Sequence, residues 1–426
     1  MSLTRRNFLL SAGAIASVGA MSPLAACSQA AAPHAWRAAG GGDEWARVRD
    51  RIPFSRDYVH LAGLLLASHP LPIGEAIARH RSGLDDNPTL YLAQHRRELE
   101  LASRQAAADY MGVSAADVAL TDSTTMGIGL VYNGISVRPD QEILVSRQDY
   151  HSTRDALRYR AARSGTRIRE IDLFPRVEGV EEDSIVAAVI AAVTPATRVV
   201  ATTWVHSSTG LKLPVRRIAD ELARINGVRP PADRALLCVD GVHGFGVENV
   251  RISELGCDFF MAGTHKWILG PRGTGIVWGN PETNEAVTPT IPSFAQDGTW
   301  GGSMSPGGFK PFEHQWGMAE AFRFHNEIGK DRVQQRIHEL ARQTKEGLHA
   351  MPHVHLYTPM EERLSSGIVC FDVEGIHPNR VVSRLLEHNV IASVTPYSPS
   401  HARVTPGLMN TPEEIDYTLR LVAEMR

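Results

Sequence analysis

From about Pro53 onward the chain alternates short β-branched or apolar runs with stretches whose apolar residues recur at helical spacing. Glu142–Ser146, Arg198–Thr203, Ala235–Val239 and Gly275–Trp278 read as strands; Tyr91–Tyr110, Ser152–Ser164, Ile185–Ala192 and Val215–Ile225 read as helices. Strands that alternate with helices predict a mainly parallel sheet covered on both faces. A loop region rich in Gly and Pro, roughly Thr288–Pro311, separates this block from a C-terminal part. That part opens with a long helical pattern through Gly317–Met351, continues with short strands and further helices, and ends with Pro412–Met425. The pattern therefore predicts an α/β fold. A large domain is expected over residues 43–290, with a connecting loop and a smaller α+β domain over 291–426.

Composition changes this picture little. With 43% hydrophobic and 21% charged residues and a formal net charge of −3, the chain is ordinary for a soluble globular protein. Its charges are spread along the chain, which excludes the basic footprint of a nucleic-acid binder. Cys27, Cys238, Cys257 and Cys370 have neither metal-ligand spacing nor a disulfide framework, so no metal site is expected.

Residues 1–42 read as an address and a tether. Arg5-Arg6-Asn7-Phe8-Leu9 precedes an uncharged stretch of small and apolar residues that ends near Met21, too short to span a bilayer. The paired arginines resemble a twin-arginine export signal, which passes folded proteins; the alternative is the general secretory route. Leu24-Ala25-Ala26-Cys27 resembles a bacterial lipobox, with Cys27 as the lipidated residue, or else a plain cleavage site with a chance cysteine. Lipidation would anchor the mature protein to a membrane surface in the periplasm without spanning it. Ser28–Gly42, rich in Ala and Gly, reads as a flexible tether.

Two segments carry the chemistry. Leu236-Leu237-Cys238-Val239-Asp240 is an apolar strand that delivers a carboxylate to the carboxyl edge of a parallel sheet, where ligands bind in open α/β folds. Taken alone, Asp240 is more often a helix cap. Further on, Phe259-Phe260-Met261-Ala262-Gly263-Thr264-His265-Lys266 brings a lysine to the same crevice, followed by the Gly-rich turn Gly270–Gly275. A lysine in a desolvated pocket near other cations loses its proton readily and becomes a nucleophile toward an aldehyde.

The two segments, in this order and spacing, resemble the signature of the class V aminotransferases, a group that includes cysteine desulfurases, isopenicillin-N epimerase and kynureninase. The resemblance runs from about Pro53 to the end. It implies a pyridoxal 5'-phosphate (PLP) enzyme of fold type I, whose large domain holds a mainly parallel sheet of the seven-stranded type. By that resemblance Lys266 holds the cofactor as a Schiff base, Asp240 pairs with the pyridinium nitrogen and His243 lies near the phenolic oxygen. Thr124 and Thr125, in Thr121-Asp122-Ser123-Thr124-Thr125, match a phosphate-binding turn at a helix N-terminus, where backbone N–H groups meet a dianion. His265 matches a further phosphate ligand. Tyr150, in Gln148-Asp149-Tyr150-His151, matches the ring that stacks on the pyridine, a position commonly held by His; a shift of one residue would give that place to His151. A tyrosine stacks as well but is a poor acid–base group near neutral pH. Ser207 matches the residue that bonds the phenolic oxygen. Thr299, in Asp297-Gly298-Thr299, matches a turn that reaches the phosphate of a neighbouring subunit and so implies a homodimer with shared active sites. Arg403 matches the arginine that grips the substrate α-carboxylate.

The reaction is narrowed by one subtraction. Cysteine desulfurases carry a nucleophilic cysteine on the loop before the carboxylate-binding arginine, whereas here that loop reads Ser393-Val394-Thr395-Pro396-Tyr397-Ser398-Pro399-Ser400. The pattern, including Asn87-Pro88, is most similar to isopenicillin-N epimerase-like proteins. The expectation is an enzyme acting at Cα of an amino acid or small peptide, of epimerase or aminotransferase type. A β-eliminating C–S lyase is the alternative, and a cofactor-free exported binding protein with this fold is the alternative of another class. His69, Tyr397 and His401 are further candidates for shaping the substrate pocket.

Overall fold

The structure, a computed structural model, describes residues 44–295 and 297–425. Its centre is a seven-stranded sheet built from β1 (Val118–Thr121), β2 (Glu142–Ser146), β3 (Arg167–Ile171), β4 (Thr197–Thr203), β5 (Leu236–Asp240), β6 (Phe259–Gly263) and β7 (Gly275–Gly279). The spatial order is β1-β7-β6-β5-β4-β2-β3, and β7 alone runs against its neighbours. Every residue of β4, β5, β6 and β7 is buried, as apolar strands between two helix layers must be. Edge strand β3 carries Arg and Glu and is partly exposed. With the other strands parallel, Thr121, Ser146, Thr203, Asp240 and Gly263 end on one edge of the sheet.

Helices close that edge tightly. The helix Thr124–Gly134 begins at Ser123, whose hydroxyl accepts from Met126 N at 3.1 Å. It lies so near β7 that a Cβ on Gly127 would meet Val277 Cγ2 at 2.8 Å. A second, antiparallel sheet joins Ser393–Val394, Ala402–Val404, Val369–Val373 and Val354–Leu356. The N-terminal segment forms a separate two-stranded sheet, in which Val59–His60 runs parallel to Val390–Ile391. The described residues belong to one compact unit. Among them no helix is long and apolar enough to cross a membrane.

The single helical pattern read through Gly317–Met351 is two helices, Phe312–Ile328 and Lys330–His349. Gly329 separates them at φ 97°, a conformation glycine takes without steric cost, so one periodic stretch becomes two elements. Leu71–Asp86 is also helical, although Pro72, Gly74 and Gly83 disguise it in the sequence. Gly83 serves close packing, since a Cβ there would meet the Tyr91 ring at 2.2 Å.

Candidate active site

The carboxyl edge of the main sheet opens into a cavity of about 160 Å³. Lys266, Asp240, Tyr150, Thr124, Thr125, Ser207, His243, His265 and Arg403 all line it, so strand ends far apart in sequence converge. Thr299 is not among the lining residues. It caps the short helix Trp300–Met304, accepts from Arg104 Nη1 at 2.9 Å and donates to Asp297 Oδ1 at 2.7 Å. Cys27 and the paired arginines lie outside the described residues.

Asp240 ends β5 and pairs in register with Met261 of β6, which places its carboxylate beside the segment that carries Lys266. Its Oδ1 accepts from Val242 N at 3.2 Å. Burial pushes Asp240 up to about 6, against the pull of Val242 N–H and the Lys266 cation. Burial lowers Lys266 to about 8; Asp240 opposes that fall and Arg403 adds to it. The lysine is therefore a far better nucleophile at neutral pH than an exposed one. Burial also keeps His243 neutral, reinforced by Lys266, Arg403 and His265. Trp267 Nε1 donates to His243 Nδ1 at 3.4 Å.

Arg403, 2% exposed, projects from the strand Ala402–Val404. Its Nε donates to Ser393 Oγ at 3.1 Å and its Nη1 to the Ser207 carbonyl at 2.7 Å. These two anchors fix the guanidinium plane at the cavity wall. Tyr150 precedes the helix His151–Ser164 and lines the cavity, whereas His151 is exposed. Thr124 Oγ1 accepts from Gly263 N at 2.6 Å and so ties the helix start to β6.

Sequence reasoning passed over several residues. Ser123, Ser152 and Thr203 also line the cavity. Beneath it Asp149 is 1% exposed, with Oδ2 accepting from Ser146 N at 3.1 Å and Oδ1 from Thr203 N at 2.9 Å. One carboxylate thus ties the ends of β2 and β4 under Tyr150; its polar neighbours in the sequence give no sign of burial. His401 does not line the cavity; its Nδ1 bonds Asp372 Oδ2 at 2.9 Å. His69 likewise lies outside the lining, while the Tyr397 hydroxyl meets Ser207 Oγ at 2.8 Å.

The donor set fits PLP from end to end. A helix N-terminus with the hydroxyls of Thr125 and Ser152 forms one end, and there His265 Nδ1 is buried without a hydrogen-bond partner. An amine with a lowered pKa and a buried carboxylate line the same cavity, the one suited to an aldehyde and the other to a cationic ring nitrogen.

Comparison with known proteins agrees. The aminotransferase class-V family model matches residues 90–416. Isopenicillin N epimerase of Streptomyces clavuligerus is 27% identical over 88% of this chain and 96% of its own. A cysteine desulfurase of Klebsiella pneumoniae is 27% identical over 76% of this chain and 81% of its own. Among solved structures, a C-DES variant with glycine covalently linked to its PLP cofactor superposes with a TM-score of 0.81 at 22% identity, covering 88% of this chain and 99% of that one. The chain belongs to the aminotransferase class-V family. It is a PLP-dependent enzyme of fold type I.

Proposed function

We propose that the enzyme acts at Cα of an amino acid or small peptide and is of the epimerase or aminotransferase type. The observation that carries this reading is Arg403 sharing one cavity with Lys266 and Asp240. A buried guanidinium held by Ser393 and Ser207 offers its remaining N–H groups to a substrate carboxylate, and Cα lies one bond from that carboxylate.

Bound there, PLP supplies an electron sink for the pair left behind when a bond to Cα breaks. The protein supplies the rest. Arg403 orients the substrate. Tyr150, at the cavity wall, would stack on the ring and keep water from it. Asp240 would hold a cationic ring nitrogen by charge. Lys266 would take the Cα proton on Nζ. His243, neutral and fixed by Trp267, offers a hydrogen bond without adding a cation.

Sulfur transfer through an enzyme persulfide is disfavoured by the loop Ser393–Ser400, which holds no cysteine. Cys238, Cys257 and Cys370 are buried, and burial raises all three thiols. Among relatives, the similarity to isopenicillin N epimerase over nearly its whole length supports the Cα-proton reading. Holoenzyme incubated with a panel of amino acids and isopenicillin N in deuterated water tests it. Deuterium entering Cα is the expected result; sulfide release without Cα exchange sinks the reading.

Two further parts belong to the same proposal. Thr299, outside its own chain's cavity, reaches the cofactor phosphate of a second subunit in a homodimer. Sedimentation should give a dimer, and a monomer with full PLP affinity sinks that part. The mature enzyme is exported by the twin-arginine route to the periplasm and anchored at Cys27.

A further inference from the structure

Asp149 is buried one residue before Tyr150, and nothing in the proposed chemistry uses it. Burying a carboxylate is costly, and only the bonds it makes offset that cost. Burial pushes Asp149 up to about 6; Asp240 adds to the rise, and the amides of Ser146 and Thr203 oppose it. What the carboxylate bonds is the turn Ser146–Asp149, which leads from β2 into Tyr150. On the β3 side Arg147 N donates to Ile171 O at 2.8 Å, Leu173 N to Gln148 Oε1 at 3.2 Å and Gln148 Nε2 to Phe174 O at 3.1 Å. Across the turn Asp149 N donates to Ser146 O at 3.3 Å, and Asp149 Oδ2 accepts from Ser146 N at 3.1 Å. On the β4 side Asp149 Oδ1 accepts from Thr203 N at 2.9 Å. His206 Nε2 lies 3.7 Å from the same oxygen, beyond hydrogen-bond reach, and burial lowers that ring to about 4, which leaves it neutral.

Tyr150 depends on this turn for its place. Among the described residues no hydrogen bond engages its hydroxyl. Its ring has aromatic neighbours in His151, at 4.0 Å between centroids, and Tyr397, at 6.2 Å. Its carbonyl accepts from Thr153 N at 3.1 Å, which ties it forward to the helix His151–Ser164; Asp149 ties it back to the sheet. Thr203, which Asp149 holds, pairs in register with Asp240. Tyr150, Thr203 and Asp240 all line the cavity. One buried carboxylate therefore connects the aromatic wall of the cavity to the strand end beside Asp240.

We infer that Asp149 is a positioning residue for the cofactor: it holds Tyr150 in place against the PLP ring without touching PLP itself. This rests on Tyr150 stacking on that ring. Asp149→Asn keeps the shape of the side chain, but its NH2 group cannot accept, so either Ser146 N–H or Thr203 N–H loses its partner. The turn is then released on one side, and Tyr150 with it.

PLP titration of apoprotein in a double-mutant cycle tests this. Tyr150→Ala should bind PLP about fivefold more weakly, and Asp149→Asn about threefold to fivefold more weakly. The protein with both substitutions should bind no more than about 1.5-fold more weakly than Tyr150→Ala alone, because Asp149 acts through the ring already removed. Losses that multiply, to about fifteenfold or more, make Asp149 independent of Tyr150 and overturn the inference. Wild-type affinity in Asp149→Asn overturns it too, while leaving the stacking reading intact. Wild-type affinity in Tyr150→Ala overturns both. The visible circular dichroism of bound PLP is the second readout. Asp149→Asn should alter the wild-type band and leave the band of Tyr150→Ala as it is; a wild-type band insensitive to the substitution overturns the inference. Should Asp149→Asn not fold, Gln148→Ala loosens the same turn from its half-buried side. It should weaken PLP binding about twofold in the wild type and not in Tyr150→Ala; a loss absent from the wild type, or equal in both backgrounds, overturns the inference.

Discussion

Asp240 pairs in register with Met261, and five residues beyond Met261 the chain presents Lys266, so carboxylate and amine stand at the carboxyl ends of adjacent parallel strands. The relationship makes each group's charge depend on the other. Burial dominates both: it raises Asp240 to about 6 and lowers Lys266 to about 8. Near neutral pH the carboxylate is therefore largely ionised, and roughly a tenth of the lysine is the free amine, far more than for an exposed lysine.

That electrostatic balance predicts the pH dependence of cofactor capture. Only the neutral amine attacks an aldehyde, and its fraction falls about tenfold per pH unit below the pKa. The rate of PLP binding to apoprotein should rise with pH and level off above about 8. In Asp240→Asn the anion that opposes the lysine's fall is gone, so the plateau should begin at lower pH. Stopped-flow absorbance measures both; a rise that continues unchanged to pH 10 contradicts the burial argument.

Arg403 should govern substrate and not cofactor. Arg403→Lys keeps the charge but loses the planar fork that Ser393 and Ser207 position. Losing a charge-assisted contact of about 2–3 kcal/mol should lower kcat/KM for Cα exchange roughly 30- to 150-fold. PLP affinity should stay near wild type. Equal losses in PLP binding would show that Arg403 is part of the cofactor site instead.

Tyr150 is expected to work through its ring face. Tyr150→Phe keeps the ring, and PLP affinity and Cα exchange should remain within about twofold. Tyr150→Ala removes a stacking contact worth about 1 kcal/mol, so PLP should bind roughly fivefold more weakly. Equilibrium titration of apoprotein distinguishes the two. A large loss of exchange in Tyr150→Phe would make the hydroxyl, not the ring, the active part.

The N-terminal reading predicts a change of compartment. Replacing Arg5 and Arg6 together with Lys should leave the protein in the cytoplasm, and Cys27→Ala should release exported protein from the membrane fraction. Fractionation followed by immunoblotting checks both. Unchanged periplasmic delivery of the double variant would refute the twin-arginine route.

What could be read in the sequence follows from how locally each feature is encoded. Asp240 and Lys266 were legible because each ends or follows an apolar run, so pattern alone sends them to the same sheet edge. Arg403 needed the order of motifs, since a strand arginine before a helix is otherwise unremarkable. Asp149 was illegible: both its oxygens are satisfied by amides of strands β2 and β4, a relationship that exists only in the folded sheet. The break at Gly329 was hidden for the opposite reason. The helical period continues across it, and only the backbone angle shows that the axis changes. Tyr397 appeared merely as a loop residue near Arg403, because its contact with Ser207 joins two loops far apart in the sequence.

The most direct test is the visible spectrum of purified protein reconstituted with PLP and dialysed, compared with Lys266→Ala treated alike. An absorption band that survives dialysis in the wild type and is absent from folded Lys266→Ala is the predicted result. A wild type that stays colourless after PLP addition, or a variant that keeps the same dialysis-stable band, would contradict Lys266 as the covalent anchor.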